Sequence, residues 1–560
     1  MKRKVFALNM KSQNLVRLAE DNFNKKRYYS GLRMLYKKID TYGGEVSDWS
    51  FLAEVYDDME LFDLSIKYWF KYLAECEEED LPEAYEGLAA AYYNIGNEPQ
   101  SAYYYNKLLT VDREIPTESK MEIAKMFTGT KSSKFRITYP PEKADYSEEI
   151  DSGVKLLREH DYEKAKEKFE RVSPLSKQAS LAKNYLAICH LVTGNSQAAE
   201  NECLEIIEKN PKDIQALATY CAILVEKQEK EKAQEVASKL CEIQTDNPDE
   251  LYKIATVCCE SGLHEKAYEK FVILEKTVKY DITLLYFKAV AAFKSAKYKE
   301  CLDDLYKILS VFPQAEVVRY YYNKLRGYLE DENELPVEMN YFYKIPQAER
   351  AERVKTLAVL LELKVPDLKL FSEEFDLIPL LRWCFDEFDG QEPELQLLAV
   401  RIAHRLNQTE FLREILLDSS VNDVIKIEAL KLVLEKNKDI EISVVLCDIF
   451  RKINFEHGFF GRTKKKLFIS AYVQSVIKQC ILGDDDCSEY CDAVNFLYAE
   501  LEYKNSLSIV DDETCLACAI IVLATKPKEI ETVIASFRCD KEKVEKILDA
   551  VFEGVDYEID

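Results

Sequence analysis

The chain has 560 residues, with 76 lysines and arginines against 101 aspartates and glutamates, for a formal net charge of −25. That balance repels phosphate backbones and anionic lipid surfaces, so neither nucleic acid nor a membrane is an expected partner, whereas a basic peptide or protein face is attracted. Glycine and proline number only 15 each against 47% apolar residues, which favours long helices over turn-rich β structure.

The start, MKRKVFALNMKSQ, has the basic flavour of a secretory signal, but its apolar stretch ends within about six residues, short of the needed core. No run reaches the roughly 20 apolar residues of a membrane span; the longest, TCLACAIIVLA at 514–524, has the length of a core helix. Most of the 16 cysteines, Cys189, Cys221, Cys258 and Cys447 among them, fall in apolar patterns where a free thiol acts as a small hydrophobe. A reducing, cytoplasmic setting follows.

From residue 12 the chain repeats itself. Ala165, Ala199, Ala233, Ala267 and Cys301 stand 34 residues apart, as do Gly31 and Ser65, with Ser101 following after 36. Twelve residues before each stands another small residue: Ala19, Ala53, Ala89, Gly153, Ala187, Cys221, Ala255 and Ala289. Two small residues at that separation let the two helices of a hairpin approach closely, and larger side chains fill the space between successive hairpins. Trp49, Trp69, Tyr85, Tyr105, Tyr162 and Phe169 occupy such filling positions, while Pro211 and Pro313 close their units.

A 34-residue period of paired helices carrying these residues resembles the tetratricopeptide repeat. The departures are Gly31 and Cys301 for the usual alanine of the second helix, and Thr245 for a closing proline. The resemblance implies an all-α fold, an α-α superhelix in two arrays. The first array, 12–127, holds three repeats plus a closing helix near 118–127. Residues 128–145 around Pro140 and Pro141 form a polar linker. The second array, 146–330, holds five repeats plus a capping helix near 315–329, which lacks the small pair. Residues 337–560 read as an α-helical domain, with apolar residues at three and four spacing in ERVKTLAVLLEL, ELQLLAVRIAHRL and VIKIEALKLVLE. Ala399 and Ala429, 30 apart, give it a faint resemblance to HEAT-like helix pairs.

No nucleotide-binding loop of the form GxxxxGK[ST], no HExxH and no GxSxG occurs, and the five histidines are scattered. No cofactor is expected. The best metal candidate is the thiol set Cys487, Cys491, Cys515 and Cys518, whose bland reading is neighbours on buried helix faces. The basic run GFFGRTKKK at 458–466 reads as a solvated loop leading into a helix.

The resemblance also implies a use: such arrays bind an extended peptide or a helix along the face lined by the first helix of each pair. In that register the first array offers Glu20, Phe23, Asn24, Glu54, Asp57, Asp58, Glu86, Tyr93 and Asn94, an acidic face spotted with aromatics. The second offers Ile188, Leu191, Tyr252, Tyr286 and Phe293, a largely apolar one. The Lys/Asn pair by which related arrays clamp a chaperone's C-terminal carboxylate is missing; the paired positions hold, for example, Val16 and Glu20, or Tyr252 and Thr256. The expectation is therefore a non-catalytic scaffold or adaptor. Its first array would take a Lys/Arg-bearing segment. Its second would take an apolar helix face or pack against the chain's own C-terminal region. The alternatives are a peptide-sensing regulator whose C-terminal domain is the output, and an enzyme with its site in 337–560.

Overall fold

In the computed structural model the described residues are 11–111, 146–173, 176, 178–330, 338–386, 392–436, 440–455, 464–482, 488–527 and 530–552. The expected closing helix at 118–127 and the linker 128–145 lie outside them. Residues Met1–Thr128 and Pro346–Asp560 make up one compact unit and Gly129–Ile345 another.

Each repeat is a helical hairpin. In the first array α1 (Ser12–Phe23) pairs with α2 (Tyr28–Tyr42), α3 (Val46–Asp58) with α4 (Phe62–Glu75), and α5 (Leu81–Asn94) with α6 (Glu98–Val111). In the second, α7 (Ser147–Arg158) pairs with α8 (Tyr162–Glu170), α9 (Ala179–Val192) with α10 (Ser196–Lys209), and α11 (Ile214–Glu226) with α12 (Lys230–Cys241). There α13 (Pro248–Glu260) also pairs with α14 (His264–Leu274), and α15 (Ile282–Lys294) with α16 (Tyr298–Val311), before α17 (Glu316–Glu330) follows.

The small pairs do what their spacing requires. Every one of the sixteen positions named above is buried. In two repeats a polar small residue ties the pair together: Ser101 Oγ donates to the carbonyl of Ala89 at 2.8 Å, and Cys221 Sγ to that of Ala233 at 3.3 Å. Where the small residue is glycine, an aromatic ring takes the vacated space. A Cβ at Gly31 would lie 2.3 Å from the ring of Phe23, and one at Gly153 2.5 Å from that of Phe169.

The turns repeat as strictly as the helices. Lys26, Glu60, Gly96, His160, Gly194, Gln228, Gly262 and Ala296 all sit at positive φ, one per hairpin. At each, the next amide reaches back five residues to close the first helix, as in Arg27 N to Asn22 O at 2.8 Å and Glu229 N to Leu224 O at 2.9 Å. Only three of the eight are glycine, so most of these turns carry left-handed backbone on an ordinary side chain.

The described residues from 346 onward are mainly helical, from Gln347–Glu362 to Lys541–Phe552. Ala399, in Pro393–Arg405, and Ala429, in Asp423–Lys436, are both fully buried, and these two helices touch. The wholly helical expectation for this region needs one correction. Strands β1 (Ile440–Leu446) and β2 (Ile449–Phe455) form an antiparallel hairpin with Leu446 opposite Ile449. Its two-residue turn is Cys447 and Asp448, at φ 53° and 58°, the geometry usually supplied by Asn-Gly. The Asp423 carboxylate accepts from the Cys447 amide at 3.0 Å and helps to hold that turn.

Candidate functional site

In the first array the two faces meet different surroundings. The second helices α4 and α6 pack against residues of the same unit from 346–560. Lys67 on α4 pairs with Asp418, Tyr104 on α6 donates to the carbonyl of Asp448 at 2.8 Å, and the amide of Phe450 donates to Tyr104 at 3.3 Å. Lys71, also on α4, is pushed below the usual lysine range by burial, which the charge of Glu414 opposes. The C-terminal region thus meets the first array, a partner the sequence had not suggested for it.

The first helices carry the acidic candidates. Glu20, Asn24, Glu54, Asp58, Glu86, Tyr93 and Asn94 are exposed, and Asp57 is half-buried. The Glu54 carboxyl is pushed above its ordinary range by local burial and then by the charges of Glu83, Asp58 and Asp57. Tyr28 is raised by burial and by Asp58, and Tyr105 by burial and by Glu86. These carboxylates therefore feel one another across α3 and α5. Among the described residues none of Glu54, Asp57, Asp58, Glu83 or Glu86 forms an ion pair with lysine or arginine.

Two candidates have structural duties as well. Asp57 accepts from Trp69 Nε1 at 3.3 Å, and Phe23 fills the space beside Gly31 and meets Phe51 edge-on at 5.2 Å. Phe23 is a packing residue, which its spacing to Gly31 could have signalled.

In the second array Leu191 packs against the cluster of Ala187, Ala199, Cys203 and Ile223, and Tyr252 against the larger core around Leu251 and Cys258. Ile188 is half-buried on α9. Phe293 meets Tyr298 edge-on at 5.4 Å. Tyr286 is fully buried, and its surroundings were not foreseen: its hydroxyl lies 3.2 Å from the carbonyl oxygen of Asn340 and 3.3 Å from that of Phe342. The chain beyond α17 returns to lie on the candidate face. In this same stretch Tyr341 bonds His264 Nδ1 at 3.0 Å, and Tyr321 donates to the carbonyl of Lys344 at 2.7 Å. The signal was in the sequence as an apolar and aromatic run outside any repeat, MNYFYKI at 339–345.

Of the thiol candidates, Cys487 lies outside the described residues, and Cys491, Cys515 and Cys518 are buried free thiols. Burial pushes Cys515 up to about 11, and Cys518 higher, with Cys539 beside both. Among the described residues no three His, Cys, Asp or Glu side chains are grouped to hold a metal ion. The run 458–466 is described only from Lys464, and Lys465 begins a helix. Among the described residues no helix is long and apolar enough to cross a membrane.

A small-residue pair and a left-handed turn recur in every hairpin at a near-constant interval. Among the described residues the fold is all-α apart from the one β hairpin, and the two arrays are built of helix pairs like those of the tetratricopeptide repeat. No family model matches the sequence, and no curated protein matches it. Among solved structures it is similar to a tetratricopeptide repeat protein from Parabacteroides merdae, at 13% identity over 50% of this chain and 98% of that one, with a TM-score of 0.24. It is also similar to yeast Tom70, at 13% identity over 96% and 99% of the two chains and a TM-score of 0.28. A third is the TPR2AB domain of yeast Sti1 in complex with pHSP90, at 13% identity over 47% and 97%, with a TM-score of 0.18.

Proposed function

We propose that this chain is a non-catalytic protein-interaction scaffold whose first array takes a Lys/Arg-bearing segment of a partner on the face formed by α1, α3 and α5. The observation that carries this reading is the set of mutually repelling carboxylates centred on Glu54. Like charges held together without counterions raise the free energy of the unliganded face, and a bound cation relieves it. Tyr93, exposed beside Asn94, adds a ring face for a guanidinium or ammonium group. On the opposite side of the array Lys67 pairs with Asp418 and Tyr104 bonds Asp448 and Phe450 of the same unit, which supports the acidic face as the one a partner would meet.

His160 Nδ1 bonds the Tyr162 hydroxyl at 2.8 Å, and His264 Nδ1 bonds that of Tyr341 at 3.0 Å. The described cysteines are all free, which fits a reducing, cytoplasmic compartment.

The test is binding of a fluorescein-labelled, lysine- and arginine-rich twelve-residue peptide to the full chain, followed by anisotropy as salt is raised. Reversing Asp58 and Glu86 to lysine should weaken binding at least about tenfold and flatten its salt dependence, with helix content unchanged. Asp57 is left alone because Trp69 needs it. Equal affinity of the reversed variant would remove the reading.

A further inference from the structure

Helix α12 ends at Cys241, and Cys258 lies on α13, the first helix of the next hairpin, so these two thiols belong to adjacent repeats. Their sulfurs are 2.6 Å apart and share a hydrogen bond. A disulfide holds its sulfurs at about 2.0 Å, so closing one here asks for little movement of either helix. The two thiols are not equivalent. Cys258 is fully buried in the core that holds Leu251, Ile254, Ala255 and Phe271, whereas Cys241 is half-buried against the edge of that core. One sulfur is open to a small reagent, and the other stands behind it.

The surroundings favour reaction at the outer sulfur. The bond to Cys258 holds the Cys241 thiol below its usual range against the effect of burial; Lys266 and Lys270 on α14 add to the lowering and Glu269 opposes it. The same bond, together with burial, pushes Cys258 up. The thiolate therefore resides on Cys241, and the thiolate is the nucleophile. Neighbouring thiols are placed differently. Cys203 is fully buried and pushed up to about 12, and Cys221 donates to the carbonyl of Ala233.

We propose that Cys241 and Cys258 form a reversible oxidation site for small hydroperoxides, closing to a disulfide that ties the sixth hairpin of the series to the seventh. The Cys241 thiolate attacks one oxygen of hydrogen peroxide. An S–O bond forms, the O–O bond breaks, and the departing hydroxide leaves as water after taking a proton from solvent. Cys241 is now a sulfenic acid. The Cys258 sulfur attacks the Cys241 sulfur; an S–S bond forms, the S–O bond breaks, and the hydroxide leaves as water with the Cys258 proton. In sum, two thiols and one peroxide give one disulfide and two waters. A dithiol reductant reverses the step and is itself oxidised to a disulfide, which suits a reducing compartment where protein disulfides are transient. Each hairpin of a repeat array is held mainly by its neighbours, so a covalent tie at one joint makes that joint harder to open. This site is independent of the acidic face of the first array and of the scaffold reading.

The first test needs no substitution. The full chain is reduced, treated with dilute hydrogen peroxide near neutral pH, blocked and digested with trypsin. Cleavage after Lys253 separates peptide 240–253 from peptide 254–266 unless a disulfide joins them. The joined pair should appear two hydrogens lighter than the sum of its parts, fragmentation should place the link at Cys258 and not Cys259, and dithiothreitol should part the two. Free Cys241 should disappear at least about tenfold faster than free Cys203. The oxidised chain should also unfold at a higher urea concentration than the reduced one.

A trapping experiment checks the order of events. In Cys258→Ser, dimedone should capture the sulfenic acid at Cys241, whereas in the unaltered chain Cys258 should consume it first. Peptides that stay apart while Cys241 goes on to the sulfinic acid would overturn the proposal, as would a link made by Cys259 or equal dimedone labelling of the two forms. Loss of Cys241 no faster than that of Cys203 would count equally against it, and an unchanged urea midpoint would overturn the tie between hairpins.

Discussion

The hydroxyl of Tyr104 donates to the main-chain carbonyl of Asp448 at 2.8 Å, joining residues 344 apart in the chain. Tyr104 is fully buried, its ring stacks on Tyr92 at 5.7 Å, and the oxygen that donates to the turn also accepts from the Phe450 amide at 3.3 Å. One phenol thus supports both sides of a hairpin turn in which two residues with side chains sit at positive φ.

Tyr104→Phe keeps the ring and removes both bonds. A buried carbonyl and an amide each lose a partner, so the loss should be about 1–3 kcal/mol, read as a lower denaturant midpoint. Amide exchange within 440–455 should rise before that of α5. An unchanged midpoint would mean that the hairpin is held by β1–β2 pairing alone.

Gln228 is exposed and left-handed at φ 63°, at the turn position that Gly194 and Gly262 fill in the neighbouring repeats. Gln228→Gly removes the Cβ clash of that backbone and should stabilise the second array by about 1 kcal/mol, measured in urea. The reverse change, Gly262→Gln, should cost a similar amount.

The pH dependence of the acidic face follows from the sign of its shift. The Glu54 carboxyl is raised in the folded protein, so the folded state binds that proton more tightly than the unfolded chain. Stability is gained as pH falls through the folded pKa, and repulsion is fully present at neutral pH. Glu54→Gln should therefore raise the melting temperature at pH 7, and the gain should shrink toward pH 4, where Glu54 of the unaltered chain is itself protonated. A gain of equal size at both values would contradict the charge origin.

Cys241 and Cys258 lie with their sulfurs 2.6 Å apart, and the hydrogen bond between them holds the Cys241 thiol below the usual thiol range. Cys203 is fully buried and pushed up to about 12, and Cys447, although exposed, is raised by its burial and by Asp423. A lower pKa means a larger thiolate fraction at pH 7.5, and the thiolate is the nucleophile. Iodoacetamide should label Cys241 before either of the others, with a shallower rise in rate as pH increases. Cys258→Ala should slow Cys241 toward the rate of an ordinary thiol. Faster labelling of Cys447 would show exposure to outweigh ionisation.

Local regularity made the repeats readable in advance. Ala19 and Gly31, or Ala255 and Ala267, mark a helix pair because a hairpin contacts mainly its neighbours, so its rule is written within one period. The acidic character of α3 and α5 was legible for the same reason, since charge at fixed register positions needs no distant partner. Left-handed turns at Lys26 or Gln228 were less plain, because the hairpin geometry imposes positive φ on residues that do not prefer it.

Tertiary structure alone decided the rest. Cys447 and Asp448 do not announce a hairpin turn; they become one through Asp423 and Tyr104, which are distant in sequence. The aromatic run MNYFYKI names no partner of its own, and only folding seats it on Tyr286 and Tyr321. Which side of the first array stays open likewise depends on Lys67 meeting Asp418. Periodic local packing is encoded residue by residue, whereas the choice of long-range partner is a competition among surfaces that only the folded chain resolves.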